Sequence, residues 1–209
     1  MLYHYFNFFN WYLGDVQIQI ENAFSLGLVA FVSGVLLIVF VHISYFPKKL
    51  IDSAEIPTYP PLIMLSSINL GFIIGISNLY VFQFYKLPDF FDIFRSNEVG
   101  VIILIISFIL IHLSVGLFIK NNEDPNPITQ SNKLITGGIY KYTRNPMYLA
   151  LVTFQIGAGM SLSFIHISIM ALFTMIFLHF FVIKKEESYL TIQFGEHYDD
   201  YKKKSRRWI

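Results

Sequence analysis

Residues 134–148 read LITGGIYKYTRNPMY, from Leu134 to Tyr148. Two glycines, two cations and an Asn-Pro pair here interrupt a chain that is otherwise strongly apolar. Neither the flank Val99–Ile119 before this stretch nor Met147–Ile183, which begins inside it, contains an Asp, Glu, Lys or Arg. A short polar segment between two runs of that length implies a return to the edge of an apolar layer. The segment must then have a reason for its own chemistry.

The whole composition agrees with a membrane setting. Hydrophobic residues make up 55% of the 209 and charged residues only 14%, which sets the chain apart from soluble domains. A formal net charge of +1 gives no polyelectrolyte signal for nucleic acid. The absence of Cys excludes disulfides, thiolate metal sites and a cysteine nucleophile. The opening MLYHYFNFFNWYLGD lacks a basic region and a small-residue cleavage site, so it does not read as a signal peptide. Its aromatics suggest a segment at the membrane interface.

Ala23–Phe46, Pro60–Tyr85 and Val99–Ile119 are each long enough to cross a bilayer. The 37 residues Met147–Ile183 would form a helix about 55 Å long, too long for a core of about 30 Å. They must turn back, and GAGMSLS at Gly157–Ser163 is the expected hinge. The fold class expected is all-α and polytopic, with about five transmembrane helices ending in a helical hairpin. The expected organisation is an N-terminal segment with three spans (1–119) and a core of connector, hairpin and tail (120–209). Ser67, Gly71 and Gly75 repeat every four residues, a stripe suited to close helix packing.

Lys48, Lys49, the segment Lys120–Arg144 and the tail after Ile183 hold thirteen of the fifteen Lys and Arg residues. Alternating spans place all thirteen on one side. By the positive-inside rule that side is cytoplasmic and the N-terminus lies outside.

The connector and the tail flank the same hairpin, so RNPMY and KKEESYL are expected neighbours. Asn145 is a favoured N-cap and Pro146 a favoured first helical residue. The free amides of such a helix start suit a carboxylate or phosphate, with Arg144 and Tyr148 beside it. A plain capped helix with a snorkelling Arg is the simpler alternative. Gly137–Gly138 either let backbone approach a flat ligand or make a turn. Glu186–Glu187 either bind an ammonium group or form a solvated flank to Lys184 and Lys185. Leu190, Phe194, Tyr198 and Tyr201 form an apolar stripe expected to lie along the membrane surface, with a basic end suited to anionic headgroups. His42, His112, His166 and His179 sit singly, without metal-ligand spacing, so no metal is expected. His179 stays a weak candidate through its nearness to Glu186.

Taken together, KLITGGIYKYTRNPMY, two apolar helices and EESYLTIQFGEHYDDYKKKSRR resemble the isoprenylcysteine carboxyl methyltransferase and phospholipid methyltransferase superfamily. Its pattern runs Leu-Val-x-x-Gly-x-Tyr, Arg-His-Pro-x-Tyr, Glu-Glu-x-x-Leu, Phe-Gly-x-x-Tyr-x-x-Tyr, and the likeness covers about Asn132 to Arg207. The resemblance implies a membrane methyltransferase using S-adenosylmethionine, with S-adenosylhomocysteine as product and a lipophilic or membrane-associated acceptor. Carried over by position, Asn132, Lys133, Leu134 and Ile135 would frame the adenosine and Tyr140 would wall the pocket. Asn145, Pro146, Met147 and Tyr148 would meet the cofactor, and Glu186 would hold its amino group. Arg144, Asn145 and Tyr148 are the implied catalytic residues.

Two positions depart from the family pattern. Asn145 replaces a His, and Val182 stands where prenylcysteine enzymes carry a substrate-binding Arg, for which Lys184 or Lys185 is the nearest substitute. A phospholipid amine or a small thiol remains open as acceptor. Further off lie an NADPH-dependent sterol-type reductase and a non-catalytic membrane protein.

Overall fold

A computed structural model describes residues 2–12, 20–48, 52–79 and 86–209. Lys49 and residues 80–85, the far end of the expected second span, lie outside the described residues. The helices are α1 (Leu2–Tyr12), α2 (Ile20–Tyr45), α3 (Pro60–Ser77), α4 (Asn97–Lys120), α5 (Pro146–Ser161), α6 (Ile165–Ile169), α7 (Ala171–Leu178), α8 (Lys184–Phe194) and α9 (Glu196–Lys204). Among the described residues there is no strand, only an isolated bridge between Thr143 and Arg206. The all-α, polytopic reading holds.

Four rods are long and apolar enough to cross a membrane: α2, α3, α4 and the run from α6 through α8. Helix α5 has sixteen residues, about 24 Å at 1.5 Å per residue. It is a short fifth rod packed antiparallel on α4. Ser107 Oγ donates to Thr153 Oγ1 at 2.9 Å, and Phe108 meets Phe154 edge to face.

The hairpin reverses at residues 162–164, inside the expected segment but past its glycines. Ser163 takes a positive φ of 51°, and the Phe164 amide donates to the Gly159 carbonyl at 2.8 Å. Gly157 and Gly159 stay helical. Their missing side chains serve close approach instead: a Cβ on Gly157 would lie 2.9 Å from the Gly100 carbonyl oxygen, and one on Gly159 2.3 Å from Ser168 Oγ. The Ser67–Gly71–Gly75 stripe works the same way. Gly71 and Gly75 face His166 and Phe164, and Ser67 Oγ donates to the Met170 carbonyl at 2.8 Å.

Polar side chains inside the bundle are matched to one another. Gln155, fully buried, donates to Ser67 Oγ at 3.0 Å and to the Ile167 carbonyl at 3.1 Å. Its own carbonyl accepts from Thr174 Oγ1 at 2.6 Å. Such bonds tie α3, α5, α6 and α7 where apolar surroundings supply little net drive between helices. At the far end, α1 does more than lie at an interface. Its Phe8 is fully buried against Phe72 and Phe164.

The last rod contains a π turn, His179–Ile183. It inserts one residue into the helical phase just before Lys184–Glu187, and so sets which way those charges face. We end the membrane-spanning part of this rod at Ile183, where the apolar run stops.

Gly100 and Gly116 of α4 supply a matched test. A Cβ on Gly100 would sit 2.2 Å from the Ser161 backbone nitrogen, whereas one on Gly116 would meet nothing within 4 Å. Gly100→Ala should cost about 1–3 kcal/mol by overpacking, while Gly116→Ala should be neutral or stabilising by up to about 1 kcal/mol. Thermal unfolding in detergent checks the pair. Equal melting points for the two variants would mean that α4 and α5 are not in this contact.

Candidate functional site

The connector and the tail meet through backbone. The Arg144 amide donates to the Arg206 carbonyl at 2.8 Å, and the Arg206 amide to the Tyr142 carbonyl at 3.2 Å. Asn145, expected as a side-chain cap, makes no capping bond. Its carboxamide nitrogen instead donates to the Arg207 carbonyl at 2.8 Å, because the tail strap passes where the cap would reach. Pro146 starts α5 as expected. The first-turn amides of Met147 and Tyr148 have no acceptor within the helix.

Glu186 and Glu187 stand about 100° apart on α8 and have opposite surroundings. Glu187 Oε1 accepts from Arg144 Nη2 at 3.1 Å, and Oε2 accepts from Arg207 Nη2 at 2.6 Å. The Arg144 and Glu187 side chains are only 9% and 11% exposed. Arg144 also donates to the Lys202 carbonyl at 3.2 Å and to the Ser205 carbonyl. The bond to Glu187 holds the Arg207 guanidinium above its ordinary pKa. Glu186 accepts a bond from the Tyr148 hydroxyl at 2.7 Å. Among the described residues no cation pairs with it.

These groups form one wall of an open cleft whose enclosed volume is about 60 Å³. Lys133, Leu134, Ile135, Tyr140, Arg144, Asn145, Pro146, Met147, Tyr148 and Glu186 all line it. Of the residues that the resemblance assigns to cofactor or catalysis, only Asn132 does not. It is exposed, and its amide donates to Glu123 Oε2 at 3.0 Å. The Tyr140 hydroxyl is buried and makes no hydrogen bond of good geometry among the described residues. Its pKa is pushed far up by burial and then by the charge of Glu186, and only slightly lowered by the nearby Ser114 hydroxyl. Tyr201, which donates to the Tyr140 carbonyl at 2.7 Å, is raised to about 12 by burial.

A second, almost wholly apolar groove adjoins the cleft. It is bounded by Val41 of α2, Leu62 of α3, Ile111 and Val115 of α4, and Leu151 of α5, and it shares Pro125, Asn126, Pro127, Met147 and Tyr148 with the cleft.

Several sequence-based expectations are corrected. Gly137 and Gly138 do not line the cleft. Gly138 makes a turn at φ 56°, closely packed on Leu117. The tail stripe packs inward on the connector, and its helix is broken. Gly195, at φ 54° and ψ −129°, ends α8, and Leu190, Phe194, Tyr198 and Tyr201 fold onto Ile135 and Tyr140. His179 lies outside the cleft and is engaged by Trp208, whose indole nitrogen is 3.3 Å from its Nδ1. Val182 is fully buried, and neither Lys184 nor Lys185 reaches the cleft. Lys184 instead sits 4.5 Å over the Phe180 ring. Among the described residues no group of three His, Asp or Glu could hold a metal.

Sequence reading passed over Phe118, Asp124 and Pro125–Pro127 as parts of the cleft wall. The pair of prolines two apart after an acidic pair was an available turn signal. Nothing local marks Glu187 as the buried member of its pair.

Residues 96–197 match the family model described as phospholipid methyltransferase. The match takes in α4, which carries none of the quoted motifs. Over 87 residues the chain is 37% identical to the protein-S-isoprenylcysteine O-methyltransferase of Schizosaccharomyces pombe. That covers 41% of this chain and 33% of that enzyme, so the chain matches about a third of its relative's length. The solved eukaryotic intramembrane Ras methyltransferase ICMT, in its form without a monobody, aligns at 17% identity and a TM-score of 0.48. That alignment covers 100% of this chain and 91% of that one.

Breaking the buried pair should unfold the site's frame. Glu187→Gln leaves two guanidinium groups facing a neutral amide, and loss of one partner of a buried pair costs about 3–5 kcal/mol. Glu186→Gln, which removes no ion pair, should unfold close to the wild-type temperature. Thermal unfolding of both in one detergent tests this. A melting point as low for Glu186→Gln as for Glu187→Gln would contradict the division of roles.

Proposed function

We propose, on the ground that residues 96–197 match the phospholipid methyltransferase family model and that the chain is similar to an isoprenylcysteine O-methyltransferase, that this chain is an integral membrane methyltransferase. Its donor is S-adenosylmethionine and its acceptor is a lipophilic or membrane-associated molecule. The observation that carries this reading is Glu186, a carboxylate facing the cleft with a tyrosine partner and no cation. An unpaired carboxylate at such a site is costly to hold, and a ligand ammonium offsets that cost.

The rest of the cleft fits the remaining groups of that donor. The open amides of Met147 and Tyr148, at the positive end of α5, suit its carboxylate. Leu134, Ile135, Phe118 and Leu190 offer apolar surface to a flat base. The buried Tyr140 hydroxyl offers a further polar contact. Bound there, the donor supplies a sulfonium-activated methyl group.

The residues of the chain position both reactants. Tyr148 and Met147 belong to both the cleft and the apolar groove, so a lipophilic acceptor lying in the groove ends beside the cleft. Positioning and exclusion of water supply most of the rate in such a displacement. Tyr148 is the residue that touches the reacting groups. Arg144 and Asn145, whose donors are spent on Glu187 and on the tail, act as positioning residues. With Val182 buried in apolar core there is no arginine at that position for an acceptor carboxylate.

We place the connector, cleft and tail on the cytoplasmic side and the N-terminus outside, following the charge distribution. Because the chain has no cysteine, single cysteines at Lys133 and Lys203 should label only from the cytoplasmic side, and one at Ser96 only from outside. The reverse pattern would overturn the orientation.

Glu186→Gln should weaken S-adenosylhomocysteine binding by about 2–4 kcal/mol, the cost of losing one partner of a desolvated charge pair. Calorimetric titration measures it, and an unchanged affinity would remove Glu186 from the site. The activity itself is tested by transfer of labelled methyl from S-adenosylmethionine into fractionated lipids, proteins and small thiols. S-Adenosylhomocysteine should raise the melting point by mass action and NADPH should not. A shift with NADPH alone would replace the methyltransferase reading.

A further inference from the structure

On the same end of the bundle as the cleft, but outside it, lies a second recess. Its walls are Ile139, Lys141, Tyr142 and Thr143 of the connector, Leu149 of α5, and Lys204, Arg206, Trp208 and Ile209 of the tail. We propose that this recess binds the headgroup of an anionic phospholipid from the adjoining leaflet.

Charge is the first reason. Five Lys and Arg residues follow Gly195 in the tail. Three of them are paired: Lys202 with Asp199, Lys203 with Asp200, and Arg207 with Glu187. The two others, Lys204 and Arg206, face this recess, and so does Lys141 of the connector. Among the described residues no side-chain ion pair or hydrogen bond engages any of these three cations. The tail therefore pairs its other cations and leaves three open at one spot, where no acidic side chain lines the wall. A phosphodiester is the complementary charge.

Depth is the second reason. Leu149 lies in the first turn of α5, and Trp208 packs on the cluster that holds Val182 and Ile183, the last apolar residues of the final rod. The recess thus straddles the level at which that rod becomes charged at Lys184. Tyr142 and Ile209 are 76% and 80% exposed, at the height where aromatic and apolar side chains sit between headgroups and acyl chains. A soluble anion would use the cations and leave these side chains in water. A phospholipid uses both.

Occupancy has a structural consequence. The recess includes the bridge between Thr143 and Arg206, which leads directly to Arg207 and its bond to Glu187. A headgroup spanning Lys141 and Arg206 grips the two strands of that strap together and stabilises the native chain by mass action.

The test uses the full chain purified in a neutral detergent, with unfolding followed by temperature. Added dioleoylphosphatidylglycerol should raise the melting point by about 2–4 °C, the shift expected for about 1 kcal/mol in a chain of this size. The same amount of dioleoylphosphatidylcholine, or of soluble glycerol phosphate, should not, and raised salt should shrink the effect. Replacing Lys141, Lys204 and Arg206 together by Gln should abolish the shift. Should that triple variant fail to fold, Lys204→Gln and Arg206→Gln alone should each reduce it. The paired variant Lys184→Gln, Lys185→Gln, which removes the same kind of charge from the same membrane face, should keep it. An equal shift with phosphatidylcholine or glycerol phosphate, an unchanged shift in the Lys141/Lys204/Arg206 variants, or an equal loss in the Lys184/Lys185 variant would overturn the proposal.

Discussion

The buried carboxylate of Glu187 is the point on which the connector, α8 and the tail turn. It receives Arg144 from the connector and Arg207 from the tail, and it stands on the helix that continues the last membrane rod. Three segments distant in sequence are thereby fixed by one side chain. Arg144 then spends its remaining donors on tail carbonyls, which holds the strap against the connector. With the backbone bonds of the strap and the Tyr148–Glu186 bond, these contacts keep the open start of α5 facing α8. An ion pair of this kind is weak evidence for net stability, because desolvation opposes it. Its value lies in geometry, since a planar guanidinium fixes direction as well as distance.

The rods were legible because their signal is local and additive. A run without charge, bounded by Pro60 or Pro146, needs no knowledge of the rest of the chain, and α3 and α5 start at those prolines. The meeting of RNPMY with EESYL was legible too, since any hairpin returns its ends to one place. What could not be read was the choice of partner among equivalent groups. Asn145 looks like a cap in sequence, but a passing carbonyl of Arg207 competes for its amide. The stripe Leu190–Phe194–Tyr198 has perfect helical spacing, yet the positive φ at Gly195 folds its second half onto the connector. The reversal slipped past Gly157 and Gly159 because those glycines were already used for helix contact. Small residues in a membrane bundle answer two different needs, and composition alone does not say which.

The two adjoining cavities divide the chemistry by solvent. The cleft is walled by amides, hydroxyls and carboxylates at the end of the bundle, where water and charged ligands have access. The groove has almost no polar wall and runs between α2, α3, α4 and α5, where only lipid-like molecules are at home. Their shared border at Met147 and Tyr148 is narrow. A reaction between a charged, water-soluble donor and a membrane-dissolved acceptor requires such a border, because neither reactant would cross into the other's medium at low cost. Val182, packed among Leu178, Ile183 and Tyr148, leaves no fixed cation on this side of the border.

Glu186 and Glu187 show how one helix assigns different work to identical neighbours. Both are carboxylates and both follow a span without charge. The π turn at His179–Ile183 sets their phase, and the 100° step between them does the rest. One is turned onto two arginines and becomes part of the frame. The other is turned onto a tyrosine hydroxyl, where one hydrogen bond does not offset the desolvation of the carboxylate. Had both been satisfied within the chain, the cleft would have no electrostatic demand left for a ligand. Had neither been, the connector and tail would not be held together to form it. The residual imbalance at Glu186 is therefore what remains after the fold has met its own needs, and it is what the ammonium group of the proposed donor would offset.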